Sequence, residues 1–190
     1  MRSVGLFGGS FNPAHGGHLH VAKAGLRQLQ LDEIWWLVSP QNPLKPQQPS
    51  WESRAETVRN LPLPPNMRVS DVELEYGTQY TIDLLTTLKA RRPDLNFVFM
   101  MGADNLSQLP KWRDWQKIIS TIPIAVIARP SSPIKARLGQ AAQQYRHARI
   151  PEDQAHTLQH KSAPAWSYLT LPLDKRSSSA IRATRNRASL

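Results

Sequence analysis

The stretch RSVGLFGGSFNPAHGGHLHVAKAGL, residues 2–26, decides the fold. Its first part, residues 2–7, is an apolar run with the length of a short buried strand. Further along, apolar side chains recur at helical spacing, at Leu19, Ala22, Leu26 and Leu29. This spacing predicts a helix over residues 16–30. A strand, a glycine-rich turn and a helix in this order begin an alternating α/β pattern.

The alternation continues along the rest of the chain. Further strands are predicted at 33–39, 67–74, 96–102, 123–130 and 166–173, and helices at 51–60, 80–90, 112–119, 135–146 and 177–187. This order predicts an α/β fold, a Rossmann-like doubly wound parallel sheet with helices on both faces. We expect a single domain over residues 1–190, in which the polar segment 131–164 could form an excursion or a lid. In such sheets ligands bind at the carboxyl ends of the strands.

The composition bounds the class of protein. Apolar residues make up 40% of the 190 residues and charged residues 20%, which is typical of a globular protein. Cysteine is absent, which excludes disulfides and thiolate metal sites. No apolar run reaches the ~18 residues that a bilayer requires, and residues 1–11 lack the pattern of a secretory signal. We therefore expect a cytoplasmic protein without a membrane partner.

The formal net charge of +10 is the unusual property of the composition. A basic surface attracts polyanions such as nucleic acids or phosphorylated metabolites, although it can also serve solubility alone. The basic residues are scattered, and they accompany no motif of a nucleic-acid-binding module. We therefore expect no nucleic-acid partner.

The turn after the first strand combines glycines with histidines. The glycine pair 8–9 permits a sharp turn and a close approach of a ligand to the main chain. The pair 16–17 lies in the first helical turn, whose amides have no intrahelical partner and suit a phosphate. His15 and His18 are three residues apart and share one face of the helix, whereas His20 points away and is expected to be structural.

Two interpretations of the histidine pair compete. The imidazoles could ligate a metal, but no third ligand lies nearby in the sequence, and HxGH is not a common zinc spacing. Alternatively, both imidazoles donate hydrogen bonds to phosphate oxygens while negative charge grows in a transition state. We favour the phosphate interpretation, because paired histidines at a glycine-rich strand-to-helix turn are seldom without function.

Three motifs of the chain resemble a known family. GGSFNPAHGGH, residues 8–18, resembles the GxFxPxHxGH signature of the nucleotidyltransferase superfamily. GADNLSQLPKWRDW, residues 102–115, is similar to the GxDxxxxLxxWxxW motif of the bacterial nicotinate mononucleotide adenylyltransferases. SSSAIR, residues 177–182, resembles the SSTxIR signature near the C-terminus of that family. The chain is therefore identified as a member of the bacterial nicotinate mononucleotide adenylyltransferase family.

The resemblance implies that ATP lies over the first turn. The residues expected to bind ATP are Gly8, Gly9, Ser10, Phe11, His15, His18, Ser178, Ser179 and Arg182. Of these, His15, His18 and Arg182 are the expected catalytic residues, since they would contact the phosphates. The serine run before Arg182 also offers a helix cap, amides and a cation in one place.

The resemblance also implies a mononucleotide site. Its expected residues are Lys45, Thr81, Asp104, Trp112 and Arg129. Lys45, which follows Leu44 where relatives commonly carry a histidine, would reach the phosphate of the mononucleotide. Thr81 would bind the nicotinate carboxylate, and Arg129 would contact an anion at the same sheet edge.

Two residues of the mononucleotide site have a simpler alternative. Trp112 would stack on the nicotinate ring, but it also stands at helical spacing from Trp115, which we expect to lie in the core. Asp104 would lie near the ribose, but it could instead cap a helix. The sequence leaves both alternatives open.

The reaction implied by the resemblance joins nicotinate mononucleotide to ATP and yields deamido-NAD and pyrophosphate. The attacking group is a phosphate that is already anionic, so alignment and charge neutralisation suffice. Mg²⁺ would be held mainly by substrate phosphates and water, so no metal-binding residues are predicted. Nearby alternatives are phosphopantetheine adenylyltransferase and an enzyme that prefers the amidated mononucleotide, and a nucleic-acid-binding protein is the alternative from another class.

Overall fold

The computed structural model describes residues 1–40, 47–128 and 138–171, together with Ser178, Ile181 and Arg182. Within them the strands are β1 (Arg2–Gly9), β2 (Glu33–Val38), β3 (Met67–Ser70), β4 (Leu95–Gly102), β5 (Ile124–Ala128), β6 (Arg149–Ile150) and β7 (Trp166–Thr170). The α-helices are α1 (Gly16–Gln28), α2 (Trp51–Arg59), α3 (Val72–Glu75), α4 (Thr81–Arg91), α5 (Ala103–Gln108), α6 (Trp115–Thr121) and α7 (Gln140–Gln144). Leu109–Lys111, Arg146–Ala148 and Glu152–His160 form 3₁₀ turns. None of these helices has the length and apolarity required to cross a membrane.

The described strands form one parallel sheet in the order β3-β2-β1-β4-β5-β7-β6. The chain builds outward from β1 through β2 to β3, and then returns to β4 on the other side of β1. The strand order therefore reverses between β1 and β4, which is where parallel α/β sheets bind ligands beyond their carboxyl ends. The predicted doubly wound parallel sheet is confirmed.

Apolar side chains cover both faces of the sheet, as the near-continuous apolar strands require. On β2 the neighbouring residues Trp35 and Trp36 point to opposite faces, and both are buried. Helices α1 and α2 pack over the face that holds Trp36, through residues such as Ala22 and Ala55. Helices α4 and α6 pack over the face that holds Trp35, through residues such as Leu85.

The strand predicted at 67–74 and the helix predicted at 112–119 differ from the structure in type or extent. The strand predicted at 67–74 stops at Ser70, which lies opposite Leu37, one residue before β2 ends. Because β2 ends at Val38, residues 72–75 have no residue of β2 to pair with, and they form α3 instead. The helix predicted at 112–119 begins only at Trp115, because the chain takes a left-handed conformation at Asp114 (φ 50°). Helix α5 was not predicted.

The described part of the polar segment, residues 138–164, belongs to the sheet and its core. It contributes β6, which pairs with β7, and its Ala155 and Leu158 are buried under the face that carries α1. The side-chain amide of Gln159 donates to the carbonyl of Leu29, just after α1. Through these contacts, residues 138–164 form one edge of the sheet and part of its core. The beginning of the segment, 131–137, lies outside the described residues.

Candidate active site

The first turn begins two residues later than the sequence predicts. Gly8 and Gly9 are the last residues of β1 and pair in register with β2, so the sharp turn expected there was wrong. The glycines serve packing: a Cβ at Gly8 would lie 3.1 Å from the Phe99 ring, and one at Gly9 would lie 2.8 Å from the Phe11 ring. The chain turns at Phe11, whose φ of 46° is left-handed.

The side chain of Phe11 anchors this turn to the core. Its ring is 3% exposed and lies edge-on to Phe7, with a centroid separation of 5.4 Å, and 5.1 Å from the ring of Trp36. The His18 imidazole stands edge-on to the same ring at 5.1 Å. A ligand above the turn would therefore meet the main chain of residue 11, while the buried ring supports His18 from below.

His15 and His18 cap α1 reciprocally. Nδ1 of His15, the N-cap residue, accepts a hydrogen bond from the amide of Gly17 at 3.1 Å. Nδ1 of His18 accepts one from the amide of His15 at 3.3 Å. The centroids of the two imidazoles lie 4.0 Å apart, which confirms that they share one face. The amide of Gly17, expected to await a ligand, is therefore engaged by His15.

The capping pattern decides which nitrogen can reach a ligand. A neutral imidazole carries one proton, and a ring whose Nδ1 accepts from an amide carries that proton on Nε2. In that form the proton of each ring lies on Nε2, whose orientation is fixed by the helix start, and Nε2 of His15 is buried in the structure. Such donors suit phosphate oxygens rather than a cation. Among the described ranges no group of three or more His, Asp or Glu side chains that could hold a metal occurs.

The C-terminal motif meets the first turn. The hydroxyl of Ser178 donates to the carbonyl of Pro13 at 2.9 Å. The guanidinium of Arg182 donates to the neighbouring carbonyl, that of Asn12. Two motifs more than 160 residues apart in the chain are thus joined directly beside His15. Ser179, expected in the same site, lies outside the described residues.

The structure also brings the predicted nicotinate-binding segments together. Thr81 is the first residue of α4, and Tyr80 caps that helix without a side-chain hydrogen bond. Trp112 is half-buried, has an extended backbone and donates its amide to the carbonyl of Leu109. The next residue, Arg113, places its guanidinium 4.7 Å from the centroid of the Tyr80 ring. Nothing in the sequence pattern singled out Arg113.

The remaining residues named in the sequence analysis differ in where the structure places them. Asp104 is exposed in the first turn of α5, whose N-cap is Gly102, so the alternative that Asp104 caps a helix was wrong. Trp115 is buried, as expected of a core residue. Lys45 and Arg129 lie outside the described residues.

Sequence analysis missed Arg54 and Thr57 of α2, which contact the first turn, and the buried Glu73 of α3. Arg54 is 2% exposed and donates to main-chain carbonyls, and Thr57 accepts from the amide of Ala14 at 2.9 Å. Burial raises the pKa of the Glu73 carboxyl to about 8, and the charge of Arg54 offsets this only in part. A charged residue in a short amphipathic helix usually faces solvent, so the sequence carried no signal for the burial of Arg54 and Glu73.

A model of a known protein family matches most of this chain. The family model described as cytidylyltransferase-like matches residues 6–184, which include the first turn, the segment 102–115 and Arg182. The chain belongs to this family.

Several similar proteins have the same name. A protein of Caulobacter sp. (strain K31) is 50% identical, over 94% of this chain and 96% of its own, and is named probable nicotinate-nucleotide adenylyltransferase. A protein of Parvibaculum lavamentivorans with the same name is 48% identical, over 94% of this chain and 90% of its own. The chain is thus also a member of the nicotinate-nucleotide adenylyltransferase family.

Solved structures share the fold. A nicotinic acid mononucleotide adenylyltransferase of Plasmodium falciparum, complexed with NaAD, superposes with a TM-score of 0.72. The superposition covers 96% of this chain and 83% of that chain at 19% sequence identity. The same enzyme complexed with APC gives a TM-score of 0.71. At this identity the likeness shows a common fold.

Proposed function

We propose that this chain transfers the adenylyl group of ATP to nicotinate mononucleotide, with deamido-NAD and pyrophosphate as products. The observation that carries the proposal is the meeting of the HxGH turn with Ser178 and Arg182, in a chain of the nicotinate-nucleotide adenylyltransferase family. We place the reaction in the cytoplasm, where ATP is supplied.

The chemistry requires alignment more than reactive groups. An oxygen of the mononucleotide phosphate bonds to the α-phosphorus of ATP, while the bond from that phosphorus to the bridging oxygen of pyrophosphate breaks. The attacking phosphate is already an anion near neutral pH, so no general base is needed. The Nε2–H groups of His15 and His18 and the cation of Arg182 would neutralise charge on the phosphates as it develops.

The mononucleotide would lie between α4 and the turn that carries Trp112. The indole of Trp112 would stack on the pyridine ring, and the amides at Thr81 would bind the carboxylate, since α4 lacks a side-chain cap. Asp104 would contact the ribose. Lys45 would contact the mononucleotide phosphate, and Arg129 would supply a further cation.

Magnesium would enter with the nucleotide. The donor set of the first turn consists of N–H groups, which bind phosphate oxygens, so the ion would be held by substrate phosphates and water. When bound there, Mg²⁺ neutralises charge on the leaving pyrophosphate. Chelation with EDTA should abolish turnover, and added Mg²⁺ should restore it.

The proposal is tested by pyrophosphate release from the purified protein with ATP and Mg²⁺. Nicotinate mononucleotide, its amide and phosphopantetheine are supplied separately, and the nucleotide product is identified by mass. We expect the acid to be the best acceptor. Faster turnover of the amide would assign the other mononucleotide, and turnover of phosphopantetheine alone would assign the other branch of the superfamily.

A further inference from the structure

Arg54 is a buried cation that donates to main-chain carbonyls from separate parts of the chain. Its Nη1 donates to the carbonyl of Ser10 at 2.9 Å, and its Nε donates to that of Pro49 at 2.9 Å. Nη2 donates to the carbonyl of Pro40. Ser10 follows β1 and Pro40 follows β2, so one planar guanidinium joins the segments beyond the carboxyl ends of two adjacent strands.

This arrangement has a cost that core packing alone does not explain. Burying a cation is unfavourable unless every donor finds an acceptor, and an apolar side chain of similar volume would avoid that penalty. These hydrogen bonds of Arg54 go to main-chain carbonyls beyond the carboxyl ends of β1 and β2, the edge at which parallel α/β sheets bind ligands. Charge-assisted bonds from a rigid fork fix the relative positions of those carbonyls.

Thr57, one helical turn after Arg54 in α2, also contacts the first turn. Its hydroxyl accepts from the amide of Ala14 at 2.9 Å and lies 2.7 Å from the carbonyl of Arg54, to which it donates. Residues three apart share one face of a helix, so α2 presents both side chains to the first turn. Together they hold Ser10 at its beginning and Ala14 at its end, directly before His15.

We propose that Arg54 and Thr57 are positioning residues, which hold the first turn in register with the segment after β2 so that both substrate phosphates align. The inference rests on the proposed function. Neither side chain would touch a substrate; each acts through the main chain that carries the histidine donors. The consequence of losing either contact is misalignment, which affects the rate of the bound complex more than the binding of each substrate.

The test compares matched variants in steady-state kinetics with ATP and nicotinate mononucleotide. Arg54→Lys keeps the charge but replaces the fork by one nitrogen, and Thr57→Val removes the hydroxyl at nearly constant volume. We expect kcat to fall about 10- to 100-fold in both, with each KM within about threefold of the original. Thr57→Ser should restore kcat. Arg59→Lys, on the exposed face of α2, should leave kcat unchanged.

A second readout does not depend on turnover. Hydrogen–deuterium exchange of the peptide that covers residues 10–17 should be faster in Arg54→Lys and Thr57→Val than in the unmodified protein and in Arg59→Lys. If the unmodified protein forms no deamido-NAD, the proposed function fails, and exchange still decides the positioning. If Arg54→Lys does not fold, the Thr57→Val and Thr57→Ser pair decides it. Folded variants with unchanged kcat or unchanged exchange overturn the inference.

Discussion

At the scale of single residues, each histidine of the pair uses one ring nitrogen for the helix start, and in the proposed reaction the other nitrogen would contact a phosphate. Nδ1 of each ring is occupied by the helix start, at His15 by the amide of Gly17 and at His18 by the amide of His15. These contacts fix the orientation of each ring, and with it the position of Nε2. Preorganised donors of this kind stabilise charge in a transition state without reorganisation.

Removal of the His18 donor should reduce kcat strongly. We expect His18→Ala to lower kcat by about two to three orders of magnitude, because a preorganised donor to the phosphates is lost. His18→Asn is the sharper variant, since its amide oxygen can still accept from His15 while the donor at the Nε2 position is missing. Rapid-quench measurement of the chemical step checks this. A kcat of His18→Asn equal to that of the original protein would remove His18 from the chemistry.

Trp112 should affect one substrate and not the other. We expect Trp112→Ala to raise KM for the mononucleotide about tenfold or more through lost stacking, with KM for ATP unchanged. Trp112→Phe keeps an aromatic face and should restore most of the affinity. Separate titration of each substrate at saturation of the other measures both constants. A defect confined to ATP would contradict the placement of the nicotinate ring.

Glu73 should make the stability of the protein fall as pH rises. Burial raises the pKa of this carboxyl from 4.5 to about 8, so the folded protein holds a proton that the unfolded chain has lost. The stabilisation is present below about pH 4.5 and is lost as pH rises through 8, at ~1.4 kcal/mol for each unit of pKa shift. Urea unfolding of Glu73→Gln should show a flatter pH dependence over this interval. If the free energy of unfolding depends on pH in the same way in both proteins, Glu73 is not the group responsible.

At the scale of elements, the sequence predicts the helices and strands that leave a local apolar pattern. It misses the features that are set by contacts with residues distant in the chain. The apolar runs and helical spacing identified the strands and helices around the first turn, since burial on both faces leaves a clear pattern. The end of β3 at Ser70 depends on where β2 ends, and Gly8 and Gly9 were assigned to a turn although ring packing explains them. Arg54 was missed because carbonyls from separate loops converge on it only after folding.

The contact of α1 with the sheet leads to a prediction about Gly25. A Cβ at this position would overlap with Cε of Met100, and a Cβ at Gly5 would lie 2.7 Å from the Met100 sulphur. Met100 is fully buried and lies against both glycines, so its side chain must shift within the core to admit a new Cβ. We expect Gly25→Ala to destabilise the protein by ~1–2 kcal/mol net, because overpacking exceeds the gain in helix propensity.

Thermal unfolding measures the effect of Gly25→Ala against that of Lys23→Ala, an exposed change on the same helix that should be almost neutral. Combining Gly25→Ala with Met100→Val should cost less than the sum of the two single changes, since the shorter side chain makes room. A higher midpoint for Gly25→Ala than for the original protein would show that the helix can move away from the sheet.

At the scale of the whole molecule, the charge distribution must leave many cations without an acidic partner. The chain has 24 Lys and Arg residues against 14 Asp and Glu, so even complete pairing leaves a surplus of 10. Some acids are already shared, since Glu33 lies within salt-bridge distance of both Arg2 and Arg68. Both proposed substrates are polyanions, and a basic surface raises the concentration of such ligands near the site.

The surplus charge should therefore appear in the salt dependence of the reaction. As KCl rises from about 20 to 300 mM, the Debye length shortens severalfold, and kcat/KM for both substrates should fall steadily. The value of kcat should change little, since contacts within the bound complex are short and shielded from salt. Initial rates at each salt concentration separate the two constants, and a matched sucrose series controls for osmotic effects. If kcat falls in parallel with kcat/KM, salt acts on the bound complex, and the surface charge has no part in capturing the substrates.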